Sequence, residues 1–277
     1  MDKITRIPAI PLVTHDPMFS IWQTSDLPSG EDTSHWTGVR KRLRGSATID
    51  GVQYRFLGRA VGRTMTLTQT CVTPLSTQYT FQADGVQLVV RFTSPLLLDD
   101  LDILSTPISY ICVDATSLDG RDHDISVSFS LFADICHSGE YEPDMRWDFF
   151  TEDGLNYGYM GQVRQKPLCG SGDLMTCDWG YVFLASEDEI YDPPETMSVM
   201  LRYQKKACGE LHGLLLIGYD EVASINYFGR LLPSYYARNG KTITQALREF
   251  YDRREELLAR CDRFDEQLLS EARAKGG

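Results

Sequence analysis

Few residues in this chain combine a reactive type with a chemically useful spacing. His35-Trp36-Thr37-Gly38 sits in a stretch rich in turn residues, Ser25, Pro28, Ser29, Gly30, Asp32 and Ser34. A loop Trp can stack on a sugar ring or a flat amide, and a neighbouring His can act as acid, base or hydrogen-bond donor. The competing reading is a Trp plugging the end of a β-sandwich with His at the rim. Arg40-Lys41-Arg42-Leu43-Arg44 is the one strongly positive run. On a strand, Arg40, Arg42 and Arg44 share a face and can bind phosphate or carboxylate; the alternative is a solvated face that neutralises nearby acids.

Other candidates are weaker. Asp99-Asp100-Leu101-Asp102 and Glu187-Asp188-Glu189 are acidic clusters. Neither has the twelve-residue spacing of a calcium loop, and paired glycosidase carboxylates cannot be read from sequence. They read as solvated turns. Asp122-His123-Asp124 and Cys136-His137 contain metal-ligand types, but HExxH and CxxC are absent, so no metal site is expected. Gly170-Ser171-Gly172 is a fragment of a nucleophile elbow without the flanking pattern, and reads as a flexible loop. No glycine-rich nucleotide motif occurs, so no cofactor is expected.

The elements that must position these residues are mostly strands. Three Asp-Gly pairs, Asp50-Gly51, Asp84-Gly85 and Asp153-Gly154, each separate two β-type runs and fit tight type I′ turns. Further strands are expected at Met65–Thr68, Pro107–Thr116, Ile125–Ile135, Trp179–Ala185 and Leu211–Tyr219, with loops at 137–145 and 163–175. About ten to fourteen strands at short spacing imply a mainly β chain, a large antiparallel sandwich with a long C-terminal α-helix. One large sandwich over 1–240 is the favoured reading, with two smaller β domains as the alternative.

After Asn239-Gly240 the pattern turns helical. Thr242 and Gln245 can form a capping box. Ile243, Leu247, Phe250, Leu257, Cys261, Phe264 and Leu268 then recur at helical spacing, predicting one helix of about 30 residues, or about 45 Å. This 241–277 linker helix is expected to pack partly on the sandwich.

The composition sets outer limits. The 277 residues carry a net charge of −12, which argues against nucleic-acid or anionic-membrane partners. All of it falls on residues 1–240, because 241–277 balance eight basic against eight acidic side chains. No apolar run approaches the roughly 20 residues of a membrane span. The N-terminus lacks a signal-peptide core, so a cytoplasmic location is expected. Seven cysteines without CxxC suggest neither a disulfide framework nor a zinc ribbon.

Four segments in order carry a family resemblance: Pro8-Ala9-Ile10-Pro11-Leu12-Val13, Asp16-Pro17-Met18-Phe19-Ser20-Ile21-Trp22, His35-Trp36-Thr37-Gly38, and Ile49–Gly58. In the tail, Tyr251, Cys261-Asp262-Arg263-Phe264-Asp265 and Leu268 add to it. The chain resembles the N-terminal region of the glutaminase A-like family of bacteria and fungi. The resemblance implies a β-sandwich followed by an α/α-toroid, similar in architecture to several glycoside hydrolases and phosphorylases. It implies hydrolysis of glutamine to glutamate and ammonia without a required cofactor. Members are often exported, and this sequence departs from that.

On this resemblance Gly277 falls where the helical domain begins, so the chain is expected to be a truncated N-terminal domain, inactive alone. The helical domain would then be its partner. It would dock on the face formed by Ile243, Leu247, Phe250, Leu257, Cys261, Phe264 and Leu268, a face that the chain alone would expose and through which it would dimerise. No catalytic residue is carried over; His35 and Trp36 would reach the rim of an amide or sugar site. The alternatives are a carbohydrate-binding or capping sandwich using Trp36, Trp147 and Trp179, and a stand-alone interaction module using the helix.

Overall fold

The structure is a computed structural model that describes residues 7–139, 141–193 and 198–276. In chain order the first strands are β1 (Ile10–Val13), β2 (Ile21–Gln23), β3 (Leu43–Ile49), β4 (Val52–Leu57), β5 (Arg63–Thr64), β6 (Thr66–Val72), β7 (Ser76–Ala83) and β8 (Val86–Thr93). A short helix α1 (Leu101–Leu104) precedes β9 (Ile108–Ser117), β10 (Asp124–Phe132), β11 (Met145–Glu152) and β12 (Leu155–Gln162). Then come β13 (Tyr181–Ser186), β14 (Glu189–Tyr191), β15 (Met200–Cys208), β16 (Leu211–Asp220), β17 (Ile225–Tyr227) and β18 (Arg230–Leu232). The chain ends in α2 (Ile243–Asp252) and α3 (Arg254–Ala274).

Of the four Asp-Gly pairs in the chain, the three expected at hairpins make the expected turns. Asp50 and Gly51 have φ of 48° and 82°, Asp84 and Gly85 42° and 77°, Asp153 and Gly154 48° and 79°. Two successive positive φ values define type I′, whose twist matches the flanking strands of β3–β4, β7–β8 and β11–β12. The hairpins assemble into two large sheets. One has the order β14-β15-β10-β3-β4-β5, the other β11-β12-β13-β16-β9-β8-β7-β6. Pairing is antiparallel except between β4 and β5. The connection 118–122 carries the chain from β9 in the second sheet to β10 in the first, so the two neighbours in sequence do not pair.

Alternation builds the sandwich. Buried and half-buried residues alternate along β3 without a break. The buried set of both sheets forms one core. Aromatic rings join the layers: Phe56 of β4 meets Phe81 of β7 at 5.6 Å, and Phe129 of β10 meets Phe92 of β8 at 6.3 Å. Such edge and tilted contacts are the favoured arrangements of aromatic pairs. Gly45 makes room for this: a Cβ there would fall 2.1 Å from the Phe56 ring.

The eight-stranded sheet is apolar on its outer side too. Ile108, Tyr110, Leu155, Tyr157 and Leu216 form a second core there with Ile243, Ala246, Leu247, Phe250, Tyr251, Leu257 and Cys261. Tyr110 also donates a hydrogen bond of 2.8 Å to the Phe250 carbonyl. Two buried faces explain why β9 and β16 read as continuous apolar runs.

The helix departs from expectation in two ways. Thr242 and Gln245 form the capping box as read, but the helix bends at Arg253 (φ −95°, ψ 10°) into α2 and α3. And the apolar face is not left open. Ile243, Leu247, Phe250, Leu257 and Cys261 are buried, Phe264 is half-buried against the same core, and only Leu268 is exposed. The sandwich's own outer face takes up the stripe, as the expected packing of the helix on the sandwich has it, and not as the expected exposed docking face for another domain or a second copy. No helix among the described residues is long and apolar enough to cross a membrane.

Candidate functional site

Loops at one end of the sandwich bring together two of the segments that carried the resemblance. His35 is buried at 1% exposure. Its Nε2 faces the Pro17 carbonyl at 2.9 Å and must donate to it; its Nδ1 lies 2.9 Å from Thr37 Oγ1 and accepts from the Thr37 amide at 3.3 Å. Burial holds its pKa below the ordinary value, so it sits there neutral. The Trp36 ring lies beside it, centroids 5.3 Å apart, at 62% exposure, and its Nε1 donates to the same Pro17 carbonyl at 2.9 Å. His35 thus pins a loop with both ring nitrogens, and Trp36 offers its ring to solvent.

Beside Pro17 stands Asp16, half-buried, whose Oδ1 accepts from the amides of Met18 (2.7 Å) and Phe19 (2.9 Å). One acceptor atom of Asp16, the Cys177 Sγ and one carboxylate oxygen of Glu221 all lie within 4.8 Å of one another. Glu221 follows β16 and is buried. Burial first, then the charge of Asp16, pushes its carboxyl up to about 7, while a hydrogen bond from Ser224 pulls it down. The charge of Asp16 nearby disfavours the ionised form of Glu221. Burial also raises the Cys177 thiol, so it is no ready nucleophile. Beneath them Lys41 is buried and donates to the carbonyls of Ile135 (3.2 Å), His137 (2.9 Å) and Cys177 (3.3 Å). Desolvation lowers its pKa. Chemically, the end of the sandwich offers one buried carboxyl, Glu221, pushed up to about 7, beside the Cys177 thiol and near the carbonyl-bound Lys41.

Sequence reasoning did not find this group. Asp16, Cys177 and Glu221 are far apart in sequence and share no spacing; the one signal was that Asp16 lies in a quoted family segment.

The other candidates have structural partners. Asp100 caps α1, accepting from the Ile103 amide at 3.2 Å, and pairs with Arg260 at 3.0 Å, while Asp102 pairs with Arg238 at 2.6 Å. Asp188 accepts from Tyr203 (2.9 Å) and Lys205 (2.7 Å). His123 lies between Asp50 (2.7 Å) and Asp119 (3.1 Å), not between its sequence neighbours, and these bonds raise its pKa. Cys136 is buried with its thiol toward the Met160 carbonyl. Ser171 stays in an exposed loop. Trp147 is partly exposed, but Trp179 is buried at 1% and is no stacking platform.

Directly after Glu221 the hairpin β17–β18 projects from the same end. Ile225 (54%), Tyr227 (61%), Phe228 (94%) and Leu231 (50%) all face solvent on it. Its strands pair Ile225 with Leu232 and Tyr227 with Arg230.

Comparison with known proteins matches this arrangement to a family. Residues 75–213 and 189–271 match a family model described as "Domain of unknown function (DUF5127)", and residues 1–68 match "Domain of unknown function (DUF4964)". "Glutaminase A" of Aspergillus oryzae (strain ATCC 42149 / RIB 40) is 31% identical over 195 residues, covering 66% of this chain and 28% of that protein. The chain therefore spans less than a third of the length of this relative. A solved structure described as "Putative kojibiose phosphorylase from human microbiome" superposes with a TM-score of 0.41 and 8% identity, over 82% of this chain and 26% of the other.

The fold is a mainly β, antiparallel sandwich with a C-terminal helix, and the family match spans most of it. The chain belongs to the DUF5127 family and is a glutaminase A-like protein.

Proposed function

We propose that the chain serves as the accessory β-sandwich of a glutaminase-like amidohydrolase, which converts glutamine to glutamate and ammonia. The observation that carries this reading is the apolar hairpin. Four large side chains on eight residues, one of them 94% exposed, make a contact surface rather than a solvated loop. The relative is more than three times as long as the part aligned, which supplies the occupant: further polypeptide of the same protein. Glu221, whose carboxyl is pushed up by burial and by Asp16, lies just before this hairpin in the chain.

The test is ammonia release from glutamine by the longer protein and by the 277-residue chain. The chain alone is expected to be inactive. Tyr227→Ser with Phe228→Ser should leave its melting temperature unchanged and lower kcat/KM of the longer protein by at least about tenfold, or ~1.4 kcal/mol. Ammonia release by the chain alone, abolished by Glu221→Gln, would defeat the accessory role. A capping sandwich for a sugar substrate is the second reading, favoured by the exposed ring of Trp36. It predicts glycan binding that Trp36→Ala removes.

A further inference from the structure

The run Arg40–Arg44, so prominent in the sequence, is sorted by the structure into different tasks. Lys41 turns inward to carbonyls. Arg44 pairs with Asp32 through two bonds of 2.8 Å. Arg42 bonds Asp134 through its side chain and lies 4.3 Å over the Phe132 ring. Arg40 is left over. It is 62% exposed, and among the described residues its one ionic contact is Nε to Asp134 at 3.3 Å.

Arg40 lines a cleft of about 610 Å³ with Arg42, Asp134, His137, Ser138 and Glu142. That volume lies within the ordinary range for small-molecule sites. Arg42 and Asp134 neutralise each other. Among the described residues, what remains is one cation with free donors, Arg40, and one anion, Glu142, of which Oε1 accepts from the Val199 amide at 3.3 Å. His137 adds a second, independent sign. It is buried at 6% exposure in the cleft wall, kept neutral by desolvation, and its Nδ1 has no partner among the described residues. Buried polar atoms are normally paired, so an unpaired one in a cleft marks a place for a ligand atom or water.

We infer that this cleft binds a small zwitterion, an α-amino acid. The planar fork of Arg40 takes the carboxylate through two parallel bonds, as guanidinium does best. Glu142 takes the ammonium, and Ser138 and His137 are left for the side chain. A simple anion on Arg40 would lie beside the carboxylate of Glu142. A simple cation on Glu142 would lie beside the guanidinium of Arg40. A neutral sugar would use neither charge. The inference does not depend on the amidohydrolase reading, since the ligand class follows from the lining alone.

Calorimetric titration of the 277-residue chain tests it, with glycine, L-glutamine and L-glutamate against acetate, ethylammonium and glucose. Saturable heats are expected for the amino acids and not for the three controls. Arg40→Gln and Glu142→Gln should each weaken binding by at least about tenfold, through the loss of one charged partner. Both side chains sit at the rim, so both variants should keep the parent melting temperature. Absence of saturable heat with every amino acid would overturn the inference, as would acetate binding as tightly as glycine. Unchanged affinity in both variants would overturn it too. Ammonia is not measured, so failure here leaves the accessory-domain reading to its own assay.

Discussion

Leu247→Ala separates two accounts of the C-terminal helix by magnitude. Leu247 has no exposed surface and belongs to the core between α2 and the outer face of the eight-stranded sheet. Its Cδ2 rests over β16 where that strand has Gly218: a Cβ built on Gly218 would lie 3.3 Å from it. Ile108 and Ile243 close the same spot. Backbone and branched side chains surround the site, so it cannot collapse freely after truncation. Leu→Ala changes in cores cost about 2–5 kcal/mol, rising with the cavity left behind, and about 3 kcal/mol is expected here. If the face were open for another domain, the same change in the isolated chain would cost within about 0.5 kcal/mol, as surface substitutions do. Leu268→Ala, at an exposed position of the same stripe, supplies that baseline internally. Urea unfolding of the 277-residue chain reads both. With m of about 3 kcal/mol/M, Leu247→Ala should move the midpoint by about 1 M and Leu268→Ala by less than about 0.2 M. Equal midpoints for the two variants, at unchanged m, would refute the packing of α2 on the sheet.

Three further outcomes follow from the geometry. Glu221 has a carboxyl raised from 4.5 to about 7 by burial and by Asp16, so the native state holds its proton where the unfolded state has lost it. That stabilisation is complete below about pH 4.5 and is lost as pH rises to about 7; Glu221→Gln should flatten the fall in urea-unfolding stability between pH 5 and 8, and parallel pH profiles would count against the raised carboxyl. His123, raised by Asp50 and Asp119, contributes stability below its unfolded value of 6.5 that disappears as pH climbs through its folded pKa. His123→Gln should remove that decline, and an imidazole titrating by NMR at or below 6.5 would contradict the clamp. Gly45→Ala drives a methyl into the Phe56 ring and should cost roughly 1–3 kcal/mol, while Gly139→Ala, with its nearest neighbour 3.7 Å away, should leave the thermal midpoint where it is.

Local chemistry was legible and long-range assembly was not. The Asp-Gly turns could be read because the positive φ they require is a property of two adjacent residues. The start of α2 could be read because Thr242 and Gln245 satisfy each other's backbone three residues apart. Its apolar stripe was just as plain, but a stripe names no partner. The clue to the partner lay elsewhere, in β9 and β16, which are apolar on both faces and so need a cover on the outside. The bend at Arg253 was invisible because no Pro or Gly marks it. His35 and Trp36 are neighbours in sequence and in space and share the Pro17 carbonyl, but they differ in burial: one ring is enclosed, the other is exposed. The hairpin β17–β18 was missed because its strands have only three residues each, too short to show a period. The stripe raised two expectations, packing on the sandwich and docking of a further domain, and the apolar outer face of the sheet decides for the first. With the stripe covered, Tyr227 and Phe228 are left as exposed apolar surface just after Glu221, whose carboxyl is pushed up to about 7 by burial and by Asp16.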